Sequence, residues 1–399
     1  MDNSTTITDY NSTNITDLDL NKTLQDYNDE EALRRLAPMI YLVLLMLIGI
    51  PGNVLVLIVY PIRFQKSTHR TFIIGLALSD LFVCAVTLPF EITEMRFQYT
   101  FYNMWACKFF RACNNLFALS SIFILMGLSG DRYRRVFTPL KLQMTSHHAT
   151  VIIFFSVCLS FMFSWPNFFI SGIRHVKLGQ LNITGFDCSL SDQFAKTIYP
   201  TVYGGTLFLI FIICMVSLIV IYSLIGRKLC VHIQFRRKFS NVSSSKSTSD
   251  TTLSNEQHHV NTSQQYENEV FEDKKDKKEH SEKKLLNKKK STIKDRKKST
   301  KEDMASKKLT KIAFAVSLAF ILSYLPHLTI SLLTALKGKF LFAPGPVVSA
   351  VLPIVSRSFA INNVVNPIIY AFIDRRFRDG YRYIFKKIIC FKKSHSYNL

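Results

Sequence analysis

The chain lacks the metal and catalytic signatures that sort most proteins of its size. Its eight cysteines (Cys84, Cys107, Cys113, Cys158, Cys188, Cys214, Cys230 and Cys390) form no Cys-x-x-Cys pair and no His/Cys spacing that would hold zinc. Eight Cys in 399 residues are also too few for a disulfide scaffold, and 14 Gly with 12 Pro exclude collagen. No G-x-S-x-G, H-E-x-x-H or paired-carboxylate motif falls on an apolar segment, which argues against a membrane-bound hydrolase. No internal repeat is visible, which leaves a transporter only as a remote reading. Acidic residues are scarce, 28 against 50 Lys and Arg, for a formal net charge of +22. The opening stretch is polar and acidic, so no cleavable signal peptide is readable and the first apolar segment must act as an uncleaved signal.

What the chain has instead is apolar length. Hydrophobic types make up 48% of it and the mean hydropathy is +0.15. The charged fifth is clustered, which rules out a single compact soluble enzyme. About 20 apolar residues cross hydrocarbon as a helix. Seven segments qualify: 36–62, 71–90, 112–130 (starting nearer Cys107), 149–173, 197–226, 312–336 and 340–372. The fold class expected is an all-α membrane protein, a seven-transmembrane helix bundle. Lys and Arg crowd the connections after the first and third segments and the tail after the seventh, which puts those on the cytoplasmic side. The N-terminus is then outside, and its sequons at Asn3, Asn11, Asn14 and Asn21 agree, as does Asn182 after the fourth segment.

This divides the chain into a glycosylated tail (1–35), five membrane helices (36–229), a third cytoplasmic loop (230–306), two more helices (307–373) and a C-terminal stretch (374–399). The loop is Ser/Thr/Asn-rich, then Lys-rich, without periodic apolar positions, and is expected to be disordered. Its charge suits anionic lipid, and no nucleic-acid partner is expected of a polytopic protein. Phe377, Tyr381, Ile384, Phe385 and Ile388 share one face of the C-terminal stretch, which reads as a short amphipathic helix on the inner leaflet, with Cys390 a candidate for palmitoylation.

Polar groups inside the apolar segments need reasons of their own. Asp80 sits mid-segment, and Asn53, Ser121, Asn362, Asn363 and Asn366 can approach it if the helices bundle. Such an oxygen-rich site suits a hard monovalent cation or trapped water; a protonated, purely structural Asp80 is the alternative. Asp131-Arg132-Tyr133 closes the third segment, and Asn366-Pro367-Ile-Ile-Tyr370 the seventh. Pro326 and Pro367 kink their helices.

Taken in order, Gly52-Asn53, Leu76-Ala-Leu-Ser-Asp80, Cys107, Asp131-Arg132-Tyr133, Cys188, Tyr222, Phe320 with Pro326, and Asn366-Pro367-Ile-Ile-Tyr370 make the chain resemble a rhodopsin-like (class A) G-protein-coupled receptor over residues 36–390. The resemblance implies a Cys107–Cys188 disulfide. It implies a switch of Asp131, Arg132, Tyr133, Tyr222, Phe320, Pro326, Asn366, Pro367 and Tyr370 that opens the cytoplasmic face to a heterotrimeric G protein. It also implies an allosteric sodium pocket at Asp80, Ser121 and Asn362, and no other cofactor. Receptor kinases and arrestin are further partners it suggests, with the plasma membrane as location. The chain departs from the family's pattern in several places. Ser323-Tyr324-Leu325-Pro326 stands where Cys-Trp-x-Pro is usual. Cys214 replaces the usual Pro of the fifth helix, the fourth lacks its usual Trp, and Ser306 replaces an acidic partner for Arg132.

Asn114 stands where the family's amine receptors carry Asp, so a biogenic amine is not the expected ligand, and the seventh segment has no Lys for a retinal Schiff base, which excludes an opsin. The expected pocket is Glu91, Arg111, Asn114, Asn115, Tyr203, Tyr324, His327 and Arg357, with Glu94 beside them. Its mixed charge and aromaticity suit a neuropeptide or peptide hormone; a lipid or small non-amine ligand is the alternative. Glu91 and Arg357 form an internal ion pair on a second reading.

Overall fold

The computed structural model describes residues 22–179, 182–246, 307–333 and 346–395. The sequons at Asn3, Asn11, Asn14 and Asn21 lie outside them, as does Ser306. Among the described residues six helices are long and apolar enough to cross a membrane: Leu36–Arg63, Thr68–Arg96, Met104–Phe137, Ser146–Ile170, Tyr199–Val231 and Lys307–Leu333. They are the first six spans. Outward faces are heavily apolar: Phe154 and Phe155 of the fourth are each 64% exposed, as suits contact with lipid. The chain divides into two compact units, Met1–Ser223 with Ile312–Leu399, and Leu224–Lys311. The second contains, among the described residues, the continuation of the fifth helix and the turn at 307–311.

Several elements differ from the sequence reading. The fifth helix runs from Tyr199 to Lys246, well into the segment expected to be disordered, because apolar criteria end at the first charges whereas helix propensity does not. Residues 247–306 lie outside the description. The fourth helix stops at Ile170, not 173. The chain then forms an antiparallel hairpin, β1 (Ser171–Leu178) with β2 (Ile183–Leu190), in which Ile173 faces Cys188. The turn uses left-handed backbone at Gly179 (φ 63) and at exposed Asn182 (φ 51). Gly179 is doubly constrained, since a Cβ there would meet the Tyr27 hydroxyl at 2.2 Å.

The second span contains a π turn, Val83–Thr87, immediately before Leu88–Arg96. Pro89 explains it: its ring cannot donate to the preceding turn and crowds the carbonyl four residues back, so the helix widens. The seventh segment is likewise not one continuous helix. Pro346–Ser356 and Asn362–Ile373 are α-helical, and a 3₁₀ turn, Ser358–Ile361, follows Arg357 between them. Arg378 donates to the carbonyls of Ala371 and Phe372 (3.0 and 2.6 Å), terminating that helix. The amphipathic helix Arg375–His395 follows, with Phe377 buried against Tyr60 and Tyr370.

A helix ahead of the first span, Leu24–Arg34, was not anticipated. Thr23 and Asp26 form its capping box. Fully buried Asn28 pins it, donating to the Arg96 carbonyl (3.1 Å) and accepting from the Tyr99 amide (3.1 Å). Near it, His175 Nδ1 stands 2.6 Å from Asp192, and that hydrogen bond holds the Asp192 carboxyl below the usual carboxylate range.

Candidate functional site

Three polar layers occupy the bundle. The one at the hairpin end is built from the stretch that follows the π turn. Glu91 accepts from Arg357 Nε (3.0 Å) and from Asn114 Nδ2 (3.3 Å), which joins the second, third and seventh segments. The Glu91 and Arg357 side chains are 15% and 18% exposed, so a ligand can reach them. Glu94, one turn on, is more deeply buried and takes Arg111 Nη2 at 2.5 Å. The same nitrogen donates to the Cys188 carbonyl at 2.6 Å. The hairpin is thus held to the third span both by the Cys107–Cys188 disulfide and by Arg111. Gln98 Nε2 bonded to Asp187 (2.7 Å) adds a third tether.

Other expected pocket residues fall into separate groups. Asn115 Nδ2 donates to the Tyr203 hydroxyl, which donates to the Phe163 carbonyl, both at 3.1 Å. His327 Nδ1 donates to the Ser356 carbonyl at 2.5 Å and its ring meets Phe359 edge-on. Tyr324 lies deeper. It stacks on Phe320 (centroids 4.4 Å) and Phe211 (5.1 Å), so it forms the aromatic floor and is only 4% exposed.

The middle layer surrounds Asp80. Asn366 Nδ2 donates to Oδ2 (2.8 Å) and the Ser121 hydroxyl to Oδ1 (3.2 Å), so the second, third and seventh segments meet at one carboxylate. Asn53 does not join it directly; its Nδ2 donates to the carbonyls of Gly49 (3.0 Å) and Asn363 (2.8 Å). Asn362 is buried one turn before Asn366. The buried Oδ1 atoms of Asn53 and Asn366 have no hydrogen-bond partner. Asp80, Ser121 and Asn366 thus gather oxygen atoms at one point between three segments.

At the opposite, basic end Arg132 is 1% exposed and paired with its neighbour Asp131, which also accepts from Arg135 Nε (3.1 Å). Arg135 Nη2 in turn donates to Thr68 Oγ1 (2.8 Å). Tyr133 stacks on Phe137. Of the residues the resemblance groups as a switch, Arg132, Tyr222 and Tyr370 each have a partner of their own. Tyr222 accepts from the Ser129 hydroxyl (3.1 Å), and Tyr370 packs edge-on against Tyr60 (5.7 Å), its own hydroxyl buried without a partner. Each of the three is held by a near neighbour. Ser129, one turn before Arg132 on the same face, was not singled out from sequence. Its spacing was the available signal.

Among the described residues no group of His, Cys, Asp and Glu could hold a transition metal. A sequence profile for 7 transmembrane receptors (rhodopsin family) matches residues 52–370. The chain is 31% identical to neuromedin-U receptor 2 of Rattus norvegicus over 193 residues, 47% of this chain and 48% of that protein. It is 30% identical to the C3a anaphylatoxin chemotactic receptor of Homo sapiens over 175 residues (42% and 34%), and 29% identical to the neuropeptide S receptor of Mus musculus over 192 (47% and 49%). The matches span about half the length of these relatives or less. With the profile matching residues 52–370, the chain belongs to the rhodopsin family of seven-transmembrane receptors.

Proposed function

We propose that the chain is a plasma-membrane receptor, N-terminus outside, that binds an extracellular peptide at the hairpin end and promotes nucleotide exchange on a heterotrimeric G protein at the basic end. The observation that carries the reading is the Glu91–Asn114–Arg357 cluster: a partly exposed ion pair whose members belong to three different segments. A peptide offering both charges and amides can exchange for those contacts and alter how the segments pack, whereas a purely apolar ligand would leave the charges stranded. The relatives named above for neuromedin U, neuropeptide S and C3a anaphylatoxin support the same ligand class. The ligand acts by binding the open arrangement more tightly than the closed one. Opening then releases Arg132 from Asp131 and frees Tyr222 and Tyr370 to change partners. The Ser/Thr-rich stretch of 230–306 is the segment offered to receptor kinases and arrestin.

Screening cells that express the chain with a peptide library, read by calcium and cyclic nucleotide, tests the ligand class. Arg132→Ala tests the coupling. At matched surface expression it should lower peptide-stimulated nucleotide exchange by roughly tenfold or more, the scale of an ordinary allosteric coupling. Undiminished exchange would remove Arg132 from the mechanism.

The Asp80 layer is proposed as a sodium site that favours the closed arrangement. For the purified protein, replacing choline chloride by sodium chloride at tenfold saturation should add about 1.4 kcal/mol of stability. Asp80→Asn should erase the sodium-specific increment while keeping a hydrogen-bonding side chain. An equal gain in both proteins, read as thermal midpoint, rules the site out.

A further inference from the structure

We infer a second binding site on the lipid-facing side of the bundle: a groove between the first span, the seventh segment and the amphipathic helix that takes one acyl chain of an anionic phospholipid. The groove encloses about 270 Å³. Gly52 and Pro367 make its floor; a Cβ on Gly52 would stand 3.1 Å from Pro367, so the missing side chain sets the depth. Leu55 and Ala371 wall it. Phe377 and Tyr381 close one end, and the closure is tight, because a Cβ on Gly380 would come within 2.6 Å of Val59. The other walls are open: Ile368, on the rim, is 38% exposed. An apolar slot closed toward the basic end and open sideways admits a chain that enters from the bilayer.

Charge at the closed end selects the head group. Exposed Arg63, the last residue of the first span, lies over the Tyr383 ring at 4.3 Å, which fixes its guanidinium beside the amphipathic helix. Arg382 and Lys386 are exposed on the same helix. Residues 375–395 carry eight Lys and Arg against one acid, Asp379. A phosphatidylserine head group meets cations there that phosphatidylcholine, with its own ammonium, uses less well. The inference draws on the proposed orientation, which puts this end at the anionic inner leaflet, but not on receptor activity.

The test is photolabelling of the purified full chain in nanodiscs of phosphatidylcholine and phosphatidylserine at a ratio of about 4:1, with a diazirine on the acyl chain of one lipid at a time. Peptides containing Ala371 and Phe377 should be labelled preferentially by the phosphatidylserine probe. Arg63→Gln should reduce that preference by roughly fivefold, the factor one cation contributes at an anionic surface. Ala371→Phe, which fills the slot, should abolish labelling of both peptides. Ile368→Trp, at the lipid-exposed rim, should do so if the first variant does not fold. Equal labelling by the two lipids, preference for a photoreactive sterol, or label unchanged in the filled variants overturns the proposal. So does label that vanishes only when the chain dimerises, which would make the groove a protein interface.

Discussion

Arg111→Ala is expected to cost about 1–3 kcal/mol of stability, the penalty typical when a buried polar group loses its partner, since Glu94 is buried while the Arg111 side chain itself is 34% exposed. Glu94 has a side chain only 9% exposed and one oxygen, Oε2, already without a hydrogen-bond partner, so losing the guanidinium strands a buried carboxylate. The Cys188 carbonyl loses its donor at the same time. The decisive comparison is with the double variant Glu94→Leu, Arg111→Leu. Apolar side chains of similar reach carry no charge to desolvate, so the double should recover most of the loss even though it removes more of the native interaction. Thermal midpoints of the detergent-solubilised proteins would show this. An Arg111→Ala protein within about 0.5 kcal/mol of the parent, the scale of an ordinary surface change, would mean the pair is effectively solvated. Disrupting Glu91–Arg357 by removing the base should do less, because the carboxylate left behind, Glu91, is 15% exposed against 9% for Glu94.

That asymmetry between two neighbouring pairs could not be read from the sequence. Glu91, Glu94, Arg111 and Arg357 were all visible as ionisable groups in apolar text, since the cost of placing them there makes each stand out. Which acid takes which base depends on how the second span is rotated, and the π turn at Val83–Thr87 decides that. Pro89 was in plain view as its signal. The Asp80 layer was more legible: one carboxylate in a charge-free helix has few partners, and Ser121 and Asn366 are among them. Asn53 was placed too close, because sequence order cannot tell a side chain aimed at a carboxylate from one aimed at the backbone of the next helix.

The existence and order of the first six spans were legible because hydrocarbon thickness dictates them, but their ends were not: the third helix runs to Phe137 where the apolar stretch stops at Gly130. The failures share one cause, in that hydropathy reports where lipid is and not where a helix ends. Residues up to Ile173 were read as fourth span because they carry no charge, yet the extended hairpin begins at Ser171. The fifth helix outlasts its apolar stretch for the converse reason. In the seventh segment Arg357 is drawn aside by Glu91, and the chain tightens into a 3₁₀ turn there. The switch residues were named from the resemblance without their partners; Arg132 rests on Asp131, its neighbour in sequence, and Tyr222 on Ser129, which the sequence did not single out.

Removing the Cys107–Cys188 disulfide is expected to cost roughly 2–4 kcal/mol. The two residues are 81 apart, and a freely jointed loop of that length would give a figure of about 4.5 kcal/mol. The true value should be lower, because most of the intervening chain is membrane helix that stays ordered in lipid when the bundle loosens, leaving less entropy for the bond to remove. Cys107→Ser, Cys188→Ser and the double variant should all lose the same amount, since any one of them breaks the single shared bond; losses that add would show that the thiols contribute by packing instead. The hairpin should nonetheless stay folded. Its own ladder, the Arg111 bond to the Cys188 carbonyl, and the Phe186 amide bonded to the Tyr99 carbonyl at 2.8 Å all survive the change. What the bond supplies is fixed placement of the hairpin beside the Arg111–Glu94 pair, so affinity for the proposed peptide should fall along with thermal stability. A variant that loses stability but binds peptide as before would separate the hairpin from the ligand site.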